Sequence, residues 1–206
     1  DAKFTYDLSV AGTATVQPIG ARKDLIGVLT GAGTLEVIGS QGLRMAVDMS
    51  AFAGTLIKNS TNELHLMINN GSFGDSATTS GSSAAAFEIN AGRVYLLNNT
   101  QAGTAYMGAL SGTGGTINSK YNRSGNIVLE VGALGLDTTY QGVIADGHTG
   151  PTKTALVKVG GGSLKLTGAN TYSNGTIVAE GALLLSNTSG SGAGSGTVLV
   201  NAGATL

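Results

Sequence analysis

The sequence predicts an all-β chain wound as a β-solenoid, and three observations carry that prediction. Short runs of Leu, Ile, Val and Thr alternate with Gly- and Asn-bearing turns, and no run is long enough for a helix. There are 34 Gly among 206 residues, yet 41% of residues are hydrophobic and only 11% are charged. Gly-rich disordered chains are poor in aliphatics and rich in charge, so this composition demands burial and places the Gly at tight turns between strands. The third observation is spacing. A Gly just before a Thr/Ser/Val–aliphatic step recurs from Gly33 to Gly54, from Gly92 to Gly115 and from Gly175 to Gly196. Gly54 to Gly92 and Gly115 to Gly162 are close to two such steps, whereas Gly162 to Gly175 is shorter, so the period is a tendency. A period of about 20–25 residues with short strands and no helix is the mark of coils stacked on one another.

The elements follow in order. Phe4 to Val10 alternates as a strand, Thr13 to Gln17 is another, and Pro18 marks a turn or an edge. From Leu25 the pattern settles, and Gly27 to Leu35 recurs in outline at Gly108 to Ile117. Further strands are expected at Leu64–Ile68, Phe87–Ile89, Val94–Leu97, Ile127–Val131, Ala155–Val159, Ser163–Leu166, Thr176–Ala179, Ala182–Leu185 and Thr197–Val200. Period-2 alternation turns Leu164 and Leu166 inward and Lys165 outward; by the same rule His65, between Leu64 and Leu66, faces solvent. Phe52, Tyr140 and Tyr172 each follow a polar turn led by Asp48, Asp137 or Asn170 and precede Gly54, Gly142 or Gly175. This reads as an aromatic packed at a corner, then a Gly in a backbone angle that other residues resist, with the Asp or Asn bonding its own turn. The stretch Gly71 to Ala86 is low in aliphatics and reads as a loop leaving one coil.

An antiparallel sandwich or barrel also has many short strands. Asn70-Gly71, Asp146-Gly147 and Asn174-Gly175 would suit hairpins, but the flanking strands are short and the turns too frequent. A coiled ribbon, with a turn at each of about three corners per coil, fits the Gly frequency better. The end at Val198 to Leu206 is mid-pattern and without a polar cap, so the chain is expected to be a fragment of a longer one. It is expected to be a single β-helix domain over 1–206, with irregular coils over 1–135 and more regular ones over 136–206.

Composition also limits the chemistry. The formal net charge is -1 with both signs scattered, so no basic stripe for nucleic acid exists. With no Cys there is no disulfide, thiolate catalysis or zinc–cysteine site. No run of about 18 apolar residues could span a bilayer as a helix, and the opening Asp1-Ala2-Lys3-Phe4 has no signal-peptide pattern. Glycoside hydrolysis needs two carboxylates close together. The 12 acids here are dispersed, with no Asp-Asp or Asp-x-Asp, and Asp48 and Asp137 are turn residues. His65 and His148 have no nucleophile context. Gly160–Gly162 and Gly192–Gly196 lack the Lys-Ser/Thr and helix of a phosphate loop, so both are turns. No catalytic, cofactor-binding or metal residue is assigned, and no cofactor is expected.

The stretch Lys158 to Leu185 carries the one family-specific pattern: Leu166-Thr167-Gly168-Ala169-Asn170-Thr171-Tyr172, then Gly175-Thr176, then Gly181-Ala182-Leu183-Leu184-Leu185. It resembles the passenger-associated transport repeat of autotransporter passengers and related bacterial surface adhesins. Leu136 to Gly147 resembles the coil that commonly precedes that repeat. The resemblance implies a right-handed parallel β-helix, exported across an outer membrane and displayed extracellularly on the bacterial cell surface. It also implies a role in secretion and folding rather than catalysis. The expected function is therefore a non-enzymatic structural or adhesive segment. Its expected partners are other chains or remaining parts of the same surface assembly and a host or glycan ligand; it is not expected to bind nucleic acid or to span a membrane. Two other readings compete. One is a carbohydrate-acting β-helix enzyme, a polysaccharide lyase or hydrolase, with its site on the loop Gly71 to Ala86 or upstream of Asp1. The other is a glycan-binding module that uses Tyr95, Tyr106 and Tyr121 as stacking platforms.

Overall fold

The structure, a computed structural model, describes residues 2–67, 79–97, 102–119, 126–148 and 150–206. These residues form strands and no helix. In chain order the strands are β1 (Ala2–Thr5), β2 (Leu8–Ser9), β3 (Thr13–Val16), β4 (Lys23–Thr30), β5 (Thr34–Val37), β6 (Leu43–Asp48) and β7 (Thr55–Lys58). Next come β8 (Glu63–Met67), β9 (Thr79–Ile89), β10 (Arg93–Leu97), β11 (Gly103–Ser111), β12 (Thr116–Ser119), β13 (Ile127–Val131) and β14 (Thr138–Tyr140). The last are β15 (Val143–Ala145), β16 (Thr154–Lys158), β17 (Ser163–Leu166), β18 (Thr176–Val178), β19 (Ala182–Leu185) and β20 (Val198–Val200).

All the strand pairings are parallel, and they join each strand to its equivalent one coil away. The result is a β-solenoid of about eight turns. One sheet runs β1-β4-β6-β8-β10-β12-β15, and a 9-stranded sheet runs β20-β18-β16-β13-β11-β9-β7-β5-β3. A 3-stranded sheet, β14-β17-β19, forms a further face. Parallel pairing at every step follows from winding, because each strand returns in the same direction after one circuit of the coil.

The core is a set of stacked columns. Ala14, Leu35, Leu56, Phe87 and Leu110 succeed one another in register through the long sheet. Leu43, Leu64, Val94, Ile117 and Ile144 do the same through the facing sheet. The aliphatics of both columns are buried apart from the half-buried Ala14 near the start of the chain. Alternation sends the intervening residues outward, as in β17, where Leu164 and Leu166 are buried and Lys165 is not. Each such Leu or Val contributes about 1.5–3 kcal/mol by leaving water. Phe52, Tyr140 and Tyr172 are fully buried at corners, as the sequence suggests.

Three expectations need correction. Thr79 to Ala86, expected in a loop, belong to β9; residues 71–78 of that stretch lie outside the described residues. The aliphatic count misses this strand because small residues fill its inward positions: Ser80, Ser82 and Ala85 are buried, and Ser82 Oγ donates to the Phe52 carbonyl at 2.8 Å. The marker glycines also belong to different corners. Gly33 and Gly54 precede strands of the 9-stranded sheet, Gly92 and Gly115 precede β10 and β12 of the facing sheet, and Gly162 precedes β17. Within one corner the spacing is a single coil, since Thr34 pairs with Thr55 and Arg93 with Thr116. Gly54 to Gly92 and Gly115 to Gly162 cross from one corner to another and are not whole coils. The register also shows that coils vary. Thr34 pairs with Thr55, but Thr55 pairs with Ala86, a longer circuit. Finally, Gly54 and Gly142 are not at left-handed angles. They are needed because a Cβ at Gly54 would meet the Gly33 carbonyl and the Phe52 ring, and one at Gly142 would meet the Tyr140 hydroxyl. Of the three, Gly175 alone has the expected positive φ, at 91°.

Candidate functional site

Winding stacks outward residues as faithfully as inward ones. On the outer face of the first sheet the register runs Lys3, Asp24, Arg44, His65, Tyr95, Asn118, one residue per coil. Neighbours in such a column lie about 4.8 Å apart, so their side chains must satisfy one another. Asp24 is fully buried and holds Arg44 in a fork, accepting from Nε at 3.0 Å and from Nη2 at 2.5 Å. Burial pushes the Asp24 carboxyl up, but the Arg44 hydrogen bonds and the charges of Arg44 and Arg22 outweigh it, and the group sits below its ordinary value.

The middle of this column gathers Glu63, His65, Arg93, Tyr95 and His148 into one polar cluster. His65 Nε2 lies 2.9 Å from Glu63 Oε2, and the imidazole meets the Tyr95 ring edge-on at 5.1 Å. Tyr95 donates its hydroxyl to Glu63 Oε1 at 3.3 Å and accepts from Arg93 Nη1 at 3.1 Å. Arg93 Nη1 also lies 3.2 Å from His148 Nε2, and its guanidinium carbon is 5.7 Å from the Tyr95 ring centre. Burial first, and then the Glu63 carboxylate, raise the Tyr95 hydroxyl above its ordinary value against the opposing pull of Arg93. Arg93 Nε and Asn118 Oδ1 are buried and have no hydrogen-bond partner among the described residues.

His65, expected to face solvent, is therefore buried, at 1% exposure. It points outward as alternation requires, but other outward groups enclose it. Tyr95 is buried too and offers no face for stacking, Tyr106 is half-buried on β11, and Tyr121 lies outside the described residues. His148 is exposed, and its backbone N–H donates to the Ser119 carbonyl at 3.2 Å.

The turn acids divide. Asp48 bonds its own turn, accepting from Ser50 N at 2.8 Å. Asp137 and Asn170, expected to do likewise, instead bond neighbouring coils. Asp137 accepts from Ser163 N and Ser163 Oγ, each at 2.8 Å. Asn170 accepts from Ile144 N at 2.8 Å and donates to the Gly192 carbonyl at 2.6 Å. Stacking brings the next coil's backbone as close as a residue's own, so a buried Asn can clamp three coils. Asp146 acts similarly, accepting from Thr154 N at 2.8 Å and from Ser173 Oγ at 2.6 Å.

Two buried lysines are absent from the sequence reading. Lys58 and Lys158 close β7 and β16 and turn inward, both essentially unexposed. Lys58 Nζ donates to the Ser60 carbonyl, to Ser60 Oγ at 2.8 Å and to the Ala91 carbonyl at 3.3 Å. Lys158 Nζ donates to the carbonyls of Val159 and Gly160, each at 2.8 Å, and of Glu180 at 3.2 Å. Each ammonium thus gathers oxygens of its own corner and of the next coil. Burial lowers Lys58 to about 8 and lowers Lys158 as well, the latter against the charges of Glu180 and Asp137. The only sequence signal is a Lys at the end of an alternating strand where an aliphatic is due.

The geometry defines a wound β-solenoid with outward polar columns. Residues 156–185, which run from β16 to the end of β19, match the family model of the passenger-associated-transport-repeat. Solenoid and repeat together fit an autotransporter passenger domain. No curated protein and no solved structure matches the chain. The repeat is not itself indicative of catalysis.

Proposed function

We propose that this chain is a non-enzymatic, structural and adhesive β-helix segment of a secreted protein of the bacterial cell surface. The observation that carries the reading is the transport-repeat match seated in an unbroken ladder, where β16 passes to β18 and β17 to β19 in register. In this reading the function is mechanical. Each coil adds about 4.8 Å of rise and one layer of aliphatics, so the fibre projects the remaining parts of the surface assembly toward a host or glycan ligand. Stacking coil by coil also suits export of an unfolded chain, since each coil can template the next.

The test is display. The chain is fused ahead of an autotransporter β-barrel translocator, and surface protease resistance is measured with and without Leu166→Asp, which places a carboxylate in the core at a fully buried position. Loss of the resistant, displayed fragment is expected. Equal display and resistance of the variant would overturn the reading. Turnover of any member of a polysaccharide panel, abolished by acid-to-amide substitutions, would overturn its non-enzymatic part.

A further inference from the structure

We propose that the turn carrying His148 is an acid-released latch over Tyr95. The proposal stands on the geometry of this turn and goes beyond the structural and adhesive reading. The chain has 2 His, and winding brings both against one ring. The His65 and His148 imidazoles lie 5.1 Å and 6.3 Å from the Tyr95 ring centre. Tyr95 is fully buried, with the Arg93 guanidinium as a third neighbour. The two histidines differ in what holds them. His65 sits on β8 within the sheet and is buried. His148 is exposed and lies in the turn between β15 and β16.

The chemistry of the contact fixes the protonation state of the closed turn. A guanidinium has donors and no acceptor. Arg93 Nη1 carries two hydrogens and meets two partners, the Tyr95 hydroxyl at 3.1 Å and His148 Nε2 at 3.2 Å. His148 Nε2 must therefore accept, which requires a neutral imidazole with its hydrogen on Nδ1. Protonation removes that lone pair and sets an imidazolium beside a guanidinium. A hydrogen bond becomes a repulsion. The backbone ties of the turn here are His148 N–H to the Ser119 carbonyl at 3.2 Å and Gly147 N–H to the Thr152 carbonyl at 2.9 Å.

The surrounding charges do not offset the repulsion. On β10 stand Arg93 and Tyr95, and behind them on β8 stand Glu63 and His65. The Glu63 carboxylate is shared between the Tyr95 hydroxyl and His65 Nε2. On the turn itself Asp146 accepts from Thr154 N, Ser173 N and Ser173 Oγ, and Lys153 adds positive charge. β12 presents the uncharged Asn118 and Ser119. A protonated His148 thus gains no unengaged carboxylate among the described residues. His65 responds the other way, because protonation strengthens its contact with Glu63. The open turn takes up a proton that the closed turn excludes, so acid favours opening. Histidine changes charge between about pH 5 and 8, which sets the window. Opening withdraws one of the three groups packed on Tyr95.

The experiment is NMR of the full chain at about pH 5 and about pH 8, the two ends of that window. Ring-nitrogen spectra give the histidine tautomers. Native-state hydrogen exchange gives the protection of the Gly147 and His148 amides relative to the unfolded rate at each pH. At the alkaline end His148 should carry its hydrogen on Nδ1, with Nε2 bare. Protection of the two amides should fall about three- to tenfold at the acid end, the scale of one hydrogen bond and one ion contact at an exposed site. The Leu129 amide in β13 should keep its protection. His148→Gln retains an acceptor for Arg93 and does not titrate, so its turn should be equally protected at both ends. Arg93→Met removes both the hydrogen bond and the repulsion, so its turn should be less protected at the alkaline end and no less so in acid. A neutral His148 protonated on Nε2, equal wild-type protection at both ends, or an acid loss that persists in His148→Gln would each overturn the proposal.

Discussion

Replacing Lys158 by Met tests whether the buried corner lysines hold the coils together. The substitution keeps an unbranched stem of similar volume in the core and deletes only the ammonium. Three carbonyls then lose their donor: Val159, Gly160 and Glu180. A hydrogen bond contributes about 0.5–1.5 kcal/mol net, and an acceptor left buried and unpaired costs about 1–3 kcal/mol. Against this, the variant no longer desolvates a charge, a cost visible in the lowered pKa of Lys158. Three orphaned acceptors outweigh one relieved ammonium, leaving a loss of about 2–3 kcal/mol. Solenoids open locally rather than as one unit, so the assay is native-state hydrogen exchange at the corner amides. Ala179 N donates to the Lys158 carbonyl at 2.8 Å, and Ala182 N to the Gly162 carbonyl at 3.2 Å. Their exchange should quicken by about 30- to 150-fold, since 1.4 kcal/mol is a factor of ten. Lys165→Met, on the outward face of the same coil, should change them by about twofold or less. If Lys158→Met exchanged within a factor of three of wild type, the corner lysines would not be holding adjacent coils.

Other outcomes follow from the same contacts. Burial lowers the Lys58 ammonium to about 8 in the folded chain, from its ordinary 10.5. The unfolded chain thus binds the extra proton between those values, and stability should rise with pH through that window. Tyr140 and Tyr172 are raised by burial, Tyr172 to about 12, so their contribution is lost as pH climbs beyond 10, and denaturation curves against pH should peak between about 8 and 10. Asn170→Ala removes bonds to Ile144 and Gly192 and should cost about 2–4 kcal/mol, read as faster exchange at the Ile144 amide. Gly142→Ala forces a Cβ to within 2.4 Å of the Gly114 and Gly115 carbonyls and should lower the melting temperature markedly, whereas Gly161→Ala, with nothing within 4 Å, should leave it unchanged or raise it.

By itself the sequence determined the class of fold. Alternation in stretches such as Leu164-Lys165-Leu166 sets which side chains are buried, and the recurring aromatic corners mark the circuit at Phe52, Tyr140 and Tyr172. The repeat over 156–185 is legible for the same reason: every feature it needs is local in the chain. The candidate site was not legible. Leu64-His65-Leu66 reads as one polar residue turned outward, Tyr95 reads as a stacking platform, and Asn118 carries no signal of its own. Only the register, His65 on Tyr95 on Asn118, makes them a cluster. Gly92 to Gly115 spans the same step as Tyr95 to Asn118, but the circuit from His65 to Tyr95 is longer and begins at Asn62 rather than at a Gly, so the full register cannot be counted from glycine spacing. It is fixed by which aliphatics stack, and that is decided in three dimensions. The same holds for Lys58 and Lys158, whose inward turn makes sense only once the next coil's carbonyls lie above them, and for Asn170, which bonds two neighbouring coils rather than its own turn.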